Sequence, residues 1–76
     1  MNIKLLDTVV LQKDIAEKGL TQGDLGAVVE CYGPETFEVE FVTGSGKTQA
    51  LVTLTMHDIR AVASDEIIAV RSLSAA

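Results

Sequence analysis

Cysteine is nearly absent from this chain. Cys31 is the only one, so no intrachain disulfide braces the fold and no Cys-x-x-Cys redox motif exists. His57 is the only histidine. A structural zinc site, which takes about four Cys, His or carboxylate ligands, therefore lacks its usual donors, and no metal or other cofactor is expected. Aromatics are nearly as scarce: Tyr32, Phe37 and Phe41, with no tryptophan. An aromatic-lined groove for proline-rich peptides and an aromatic cage for methylated lysine both need more rings than that. Positive charge is short as well. Six basic residues face 11 acidic ones, a net charge of −5. Lys4, Lys13, Lys18, Lys47, Arg60 and Arg71 are scattered, with no two adjacent. That distribution argues against nucleic acid, whose phosphates reward a basic face. No stretch approaches the roughly 20 apolar residues of a membrane span, and no membrane partner is expected. The opening residues lack the apolar run of an export signal. With the lone cysteine, this makes the cytoplasm the expected compartment.

What the chain has in plenty is aliphatic residues. Apolar residues make up 47% of its 76 positions, mostly Val, Ile, Leu and Ala. That length allows one domain with a modest core. The mean hydropathy is above zero, high for a small chain, and points to apolar surface that a partner or another copy covers.

The pattern is β throughout. Residues 5–11 read as a first strand, since Val9, Val10 and Leu11 are β-formers. Residues 12–24 read as a structured loop that tucks Ile15 and Leu20 beneath it; a short helix over residues 14–18 is the alternative. Residues 25–32 form a second strand in which Gly26 suits a bend or bulge. Gly33-Pro34-Glu35-Thr36 is a turn. Strict alternation in Phe37-Glu38-Val39-Glu40-Phe41 sets the two phenylalanines and Val39 on one face and the two acids on the other. Gly44-Ser45-Gly46-Lys47 makes a hairpin turn, and residues 48–55 a fourth strand. Met56-His57-Asp58 reads as one tight turn before a short closing strand at residues 59–62. Five short strands, a long first loop and a one-turn element before the last strand give an all-β, SH3-like five-stranded barrel over residues 1–63. Closure of that barrel would remove its sheet edges. A small α+β domain is the competing reading.

Residues 64–76 form a C-terminal extension. Ser64-Asp65-Glu66 resembles a helix start, although the capping-box position after Ser64 holds Ile67. Ile67-Ile68-Ala69-Val70 serves equally well as an added strand. In either form Ile67, Ile68, Val70 and Leu73 need cover, either on the barrel or on a neighbouring subunit, and in the second case they are the candidate oligomer contact.

Several motifs invite a catalytic reading and fail it. Gly44-Ser45-Gly46-Lys47-Thr48 resembles a phosphate loop, but the first glycine of that pattern would stand at Phe41, and a strand follows instead of a helix. His57-Asp58 are chain neighbours with no third group to orient them; an exposed His beside a turn-forming Asp is the simpler reading. Glu38 and Glu40 share a strand face, but a solvated pair lacks the desolvation that would raise one pKa. No enzyme is expected.

The one uneven charge feature lies in the middle. From Gly19 through Gly46 there is no Lys or Arg, while Asp24, Glu30, Glu35, Glu38 and Glu40 are acidic. With the second and third strands paired, Glu30, Glu38 and Glu40 share a face able to steer a basic partner; a plain solvated face is the alternative. The expected function is a non-enzymatic protein-protein interaction module that binds another, basic protein through the acidic strand face or through an apolar patch near the tail. An antitoxin- or immunity-like protein is one concrete form. The alternative is a self-assembling homo-oligomer with the tail at the contact.

The segments Leu5-Leu6-Asp7-Thr8-Val9-Val10-Leu11, Asp14-Ile15, Gly19-Leu20, Gly23-Asp24-Leu25-Gly26-Ala27-Val28-Val29-Glu30, Phe37-Glu38-Val39-Glu40-Phe41 and Asp58-Ile59-Arg60-Ala61-Val62 resemble a family of short, stand-alone bacterial and cyanobacterial proteins of unknown function. The resemblance spans residues 5–62. It implies an SH3-like barrel and no activity, and the tail after Val62 departs from the family's pattern. The Gly23-Asp24-Leu25-Gly26 run is also similar to turns in other SH3-like barrels, a likeness of fold alone.

Overall fold

A computed structural model describes residues 2–73. Five strands form one antiparallel sheet: β1 (Thr8–Leu11), β2 (Leu25–Cys31), β3 (Thr36–Val42), β4 (Thr48–Thr55) and β5 (Ile59–Ala61). Their spatial order is β4-β3-β2-β1-β5. The expected all-β, five-stranded architecture is what forms, in the strand order of an SH3-like barrel. It is left open, because β4 and β5 are not hydrogen-bonded to each other. The expected loss of both edges is thereby corrected. All three residues of β5 pair with β1, and the chain then leaves the sheet without turning back onto β4.

The core follows the alternation in the sequence. Val9 and Leu11 of β1, Val28 of β2, Phe37, Val39 and Phe41 of β3, Ala50 and Leu54 of β4 and Ile59 of β5 meet on one face. Full burial of a Val, Leu, Ile or Phe side chain contributes about 1.5–3 kcal/mol, and a chain whose single cysteine can form no internal disulfide draws mainly on that burial. Gly26 faces the same core beneath Val39 and Phe41.

The first strand begins three residues later than its sequence indicates. Leu6 takes a left-handed backbone, with φ of 72°. The Lys4 N–H donates to the Asp7 carboxylate at 2.8 Å. Residues 4–7 are thereby spent on a turn. The loop over residues 12–24 does tuck Ile15 and Leu20 beneath it, and both are buried. They bridge to each other around a three-residue 3-10 turn, Ala16–Lys18, which Gly19 ends at φ of 70°.

The tail is neither helix nor added strand over its described residues, 64–73; residues 74–76 of the expected extension lie outside the described set. It runs as an irregular strap fixed by side chains. Glu66 accepts two hydrogen bonds from Arg60, at 2.8 and 2.7 Å, and one from the Ala63 N–H at 2.6 Å. Arg71 donates to both oxygens of Asp24 at 2.7 Å and to the Gly19 carbonyl at 2.9 Å. These planar forks hold the strap at two points, in place of a backbone ladder.

Candidate functional site

The outer face of the β2–β3–β4 hairpins gathers the acids that the sequence singles out. Glu38 and Glu40 lie two residues apart on β3 and face away from Phe37, Val39 and Phe41. Glu30 joins them by way of a register shift. Val28 pairs with Val39, but Glu30, not Val29, pairs with Glu38. Regular alternation from the buried Val28 would turn Glu30 inward. The bulge absorbs one residue and turns it outward, directly opposite Glu38. Glu40 sits further along, opposite Ala27.

Neighbouring side chains shape this face. The Thr53 hydroxyl donates to Glu38 Oε1 at 2.5 Å, and the Thr48 hydroxyl donates to Glu40 Oε2 at 2.5 Å. Both carboxylates are thus drawn toward β4. Tyr32 stands at the turn end of the face. Its phenol is held above the ordinary tyrosine range by local desolvation first, and then by the charges of Glu38 and Glu30. Among the described residues no cation pairs with these acids. The ion pairs among the described residues are Lys13–Asp58, Arg60–Glu66 and Arg71–Asp24, and none reaches Glu30, Glu38 or Glu40. Like charges directly opposed across two strands are destabilising, so the Glu30–Glu38 pair is a cost the isolated domain carries.

The strap divides the four apolar tail residues. Ile67 is 92% exposed and Val70 97%. Ile68 and Leu73, less exposed, line a groove of about 810 Å³ together with Val70, Leu20, Leu25 and Phe41. Val10 lies outside the core cluster yet is buried. It faces Ile67 and Ile68 across a small cleft, so the strap covers a part of the sheet that would otherwise be wet. The two anchoring carboxylates respond to their arginines. The Arg60 fork, helped by the Ala63 amide, lowers Glu66 to about 2, and the Arg71 fork holds Asp24 below the usual carboxylate range.

The remaining sequence candidates have structural places. Asp58 closes its turn by accepting from the Thr55 N–H at 2.9 Å and pairs with Lys13 at 3.1 Å. Its partial burial acts to raise its pKa, and these partners outweigh that and lower it. His57 and Cys31 are exposed. Gly44-Ser45-Gly46-Lys47 turns the chain into β4. Among the described residues no group of three or more His, Cys, Asp or Glu could hold a metal ion, and no helix is long and apolar enough to cross a membrane. Sequence reasoning missed Thr48 and Thr53 as partners of the acids and Arg60 and Arg71 as anchors of the strap. Alternation in β4 could have placed Thr53 beside Glu38. Nothing local relates Arg71 to Asp24, 47 positions away.

Residues 5–61 match the family described as Domain of unknown function (DUF4926), and the chain belongs to that family. Searches of the curated proteins and of the solved structures find no match.

Proposed function

We propose that this DUF4926 protein is a non-enzymatic, cytoplasmic interaction module that binds another, basic protein through the outer face of β2 and β3. The observation that carries this reading is the direct opposition of Glu30 and Glu38, with no ion pair to either acid among the described residues. A basic partner supplies the missing charge and removes the repulsion on binding. An antitoxin- or immunity-like protein that covers a basic partner is the concrete form. The test is affinity capture of the tagged chain from lysate of its host, repeated with Glu38→Lys and Glu40→Lys together. The expected result is one stoichiometric partner, released by raised salt and lost on charge reversal, from a variant that stays folded. Capture that is indifferent to both changes overturns the reading.

A second reading, self-assembly through the strap, is favoured by the exposure of Ile67 and Val70. Two large aliphatic side chains almost wholly in water, on a strap already anchored by two arginine forks, suit a contact with another copy.

A further inference from the structure

The acidic face attracts a basic partner but does not by itself hold a main chain. The adjoining edge of the sheet can. The two edges differ. β5 has three residues and carries Arg60, forked to Glu66 where the strap departs. β4 has eight residues, Thr-Gln-Ala-Leu-Val-Thr-Leu-Thr, with no charge and no proline. Short length, lysine, proline and bulges are the usual protections of an edge strand. Between Ala50 and Thr55, β4 has none of them, its one register shift lying at its start.

The direction of its backbone groups follows from its end. The Thr55 N–H donates to the Asp58 carboxylate at 2.9 Å, and the Thr55 carbonyl accepts from the Asp58 N–H at 2.9 Å. Thr55 therefore turns its main chain away from β3. Alternation gives Thr53 and Leu51 the same outward direction, leaving Val52 and Leu54 to bond with β3. Outside the pairing with β3, no main-chain hydrogen bond among the described residues uses Leu51 or Thr53. At the start of the strand the edge is already engaged, because Gln49 Nε2 donates to the Lys18 carbonyl at 3.1 Å. The free stretch is residues 50–54.

The acids lean toward this same edge, through the Thr53–Glu38 and Thr48–Glu40 hydrogen bonds. A strand added there lies about 4.8 Å beyond β4. Its outward side chains stand beside Leu51 and Thr53, and a long basic side chain can reach back across β4 to the carboxylates. We propose that the free edge of β4 takes up an extended segment of the basic partner by strand addition. The N–H and C=O groups of Leu51 and Thr53 supply the ladder, and Glu38 and Glu40 select Lys or Arg at alternate positions. This rests on the reading of the acidic face as the partner site and adds the mode of binding. A second copy of this chain fits the edge less well, since it brings another net charge of −5 and another Glu38–Glu40 pair to the seam.

The test is amide exchange and chemical shift on the isotope-labelled full chain, titrated with synthetic peptides. The first alternates lysine with threonine over about nine residues, enough for one added strand. The second replaces lysine with glutamate. The third keeps the lysine sequence but is N-methylated at alternate residues, so that it has the charge without the ladder. Expected are slowed exchange at Leu51 and Thr53 with the first peptide, and no binding of the second or third. Binding should weaken by roughly tenfold or more when Glu38 and Glu40 become Lys. Equal binding of the N-methylated peptide, or shifts confined to Glu30, Tyr32 and Glu38, overturns strand addition and leaves the acidic-face reading standing. Protection at Leu51 and Thr53 that grows with protein concentration alone assigns the edge to a second copy and overturns the proposal. Absence of any lysine-peptide binding at millimolar concentration overturns it too, whereas the acidic-face reading falls only if capture is indifferent to charge reversal.

Discussion

A methyl group at position 26 would lie 2.6 Å from Val39 Cγ1 and 2.8 Å from Phe41 Cε2, closer than side chains approach one another. Both neighbours are buried in the core and cannot swing into solvent. Gly26→Ala should therefore destabilise the domain by about 1–3 kcal/mol, as overpacking does. Chemical denaturation should show this as a lower midpoint with an unchanged slope. Tyr32 offers a second measurement at the same scale. It is the only tyrosine in a chain without tryptophan, so phenolate absorbance reports on it alone. Its pKa is raised by local desolvation, then by the charges of Glu38 and Glu30. Replacing both acids by Gln should bring its titration down toward the ordinary value. A titration midpoint that does not move would show that the two charges do not bear on this end of the face.

Among the elements, the strap is the one most open to pH. The Arg60 fork lowers Glu66 from its ordinary 4.5 to about 2. A carboxylate with a depressed folded-state pKa contributes stability that is fully present above its unfolded pKa and lost as pH falls through the folded one. The strap should therefore be docked above about pH 5 and should loosen between pH 4.5 and pH 2. Asp24, also lowered, acts in the same direction at the other anchor. The Ala63 amide, which donates to Glu66, is the probe: its resonance should move through that window while core amides such as Val39 stay in place. Uniform loss of all amides at one pH would mean that the strap and sheet unfold together. The β2 bulge is the other element with a functional consequence. It turns Glu30 to the side of Glu38, and removing Val29 from the chain would restore a regular ladder with Glu30 still opposite Glu38 on the outer face.

At the scale of the whole molecule, a net charge of −5 opposes self-association and exposed apolar residues favour it. Salt screens the first within about 10 Å at 0.1 M and leaves the second intact. Under the interaction-module reading, sedimentation should give a single-protomer mass at both low and high salt. A dimer that strengthens with salt and disappears from a chain ending at Ala63 would establish self-assembly through the strap. That truncation also uncovers Val10, so the monomeric product must be shown to keep its β-sheet signal before the result is read.

The sequence by itself determined what local pattern controls. Alternation in β3 assigned its two faces, and glycine, proline and turn-forming residues set the breaks between strands. Isolated apolar residues at Ile15 and Leu20 marked a loop with buried anchors. These depend on a few neighbouring residues, so they can be read along the chain. Tertiary structure decided what depends on pairing between distant segments. The bulge that turns Glu30 outward exists only against β3. The openness of the sheet is likewise a matter of which distant strands meet: β5 pairs with β1 and not with β4. The tail had equal local claims to helix and strand and took neither. Two arginine–carboxylate forks, one of them spanning 47 positions, hold it in place of a helix or a backbone ladder.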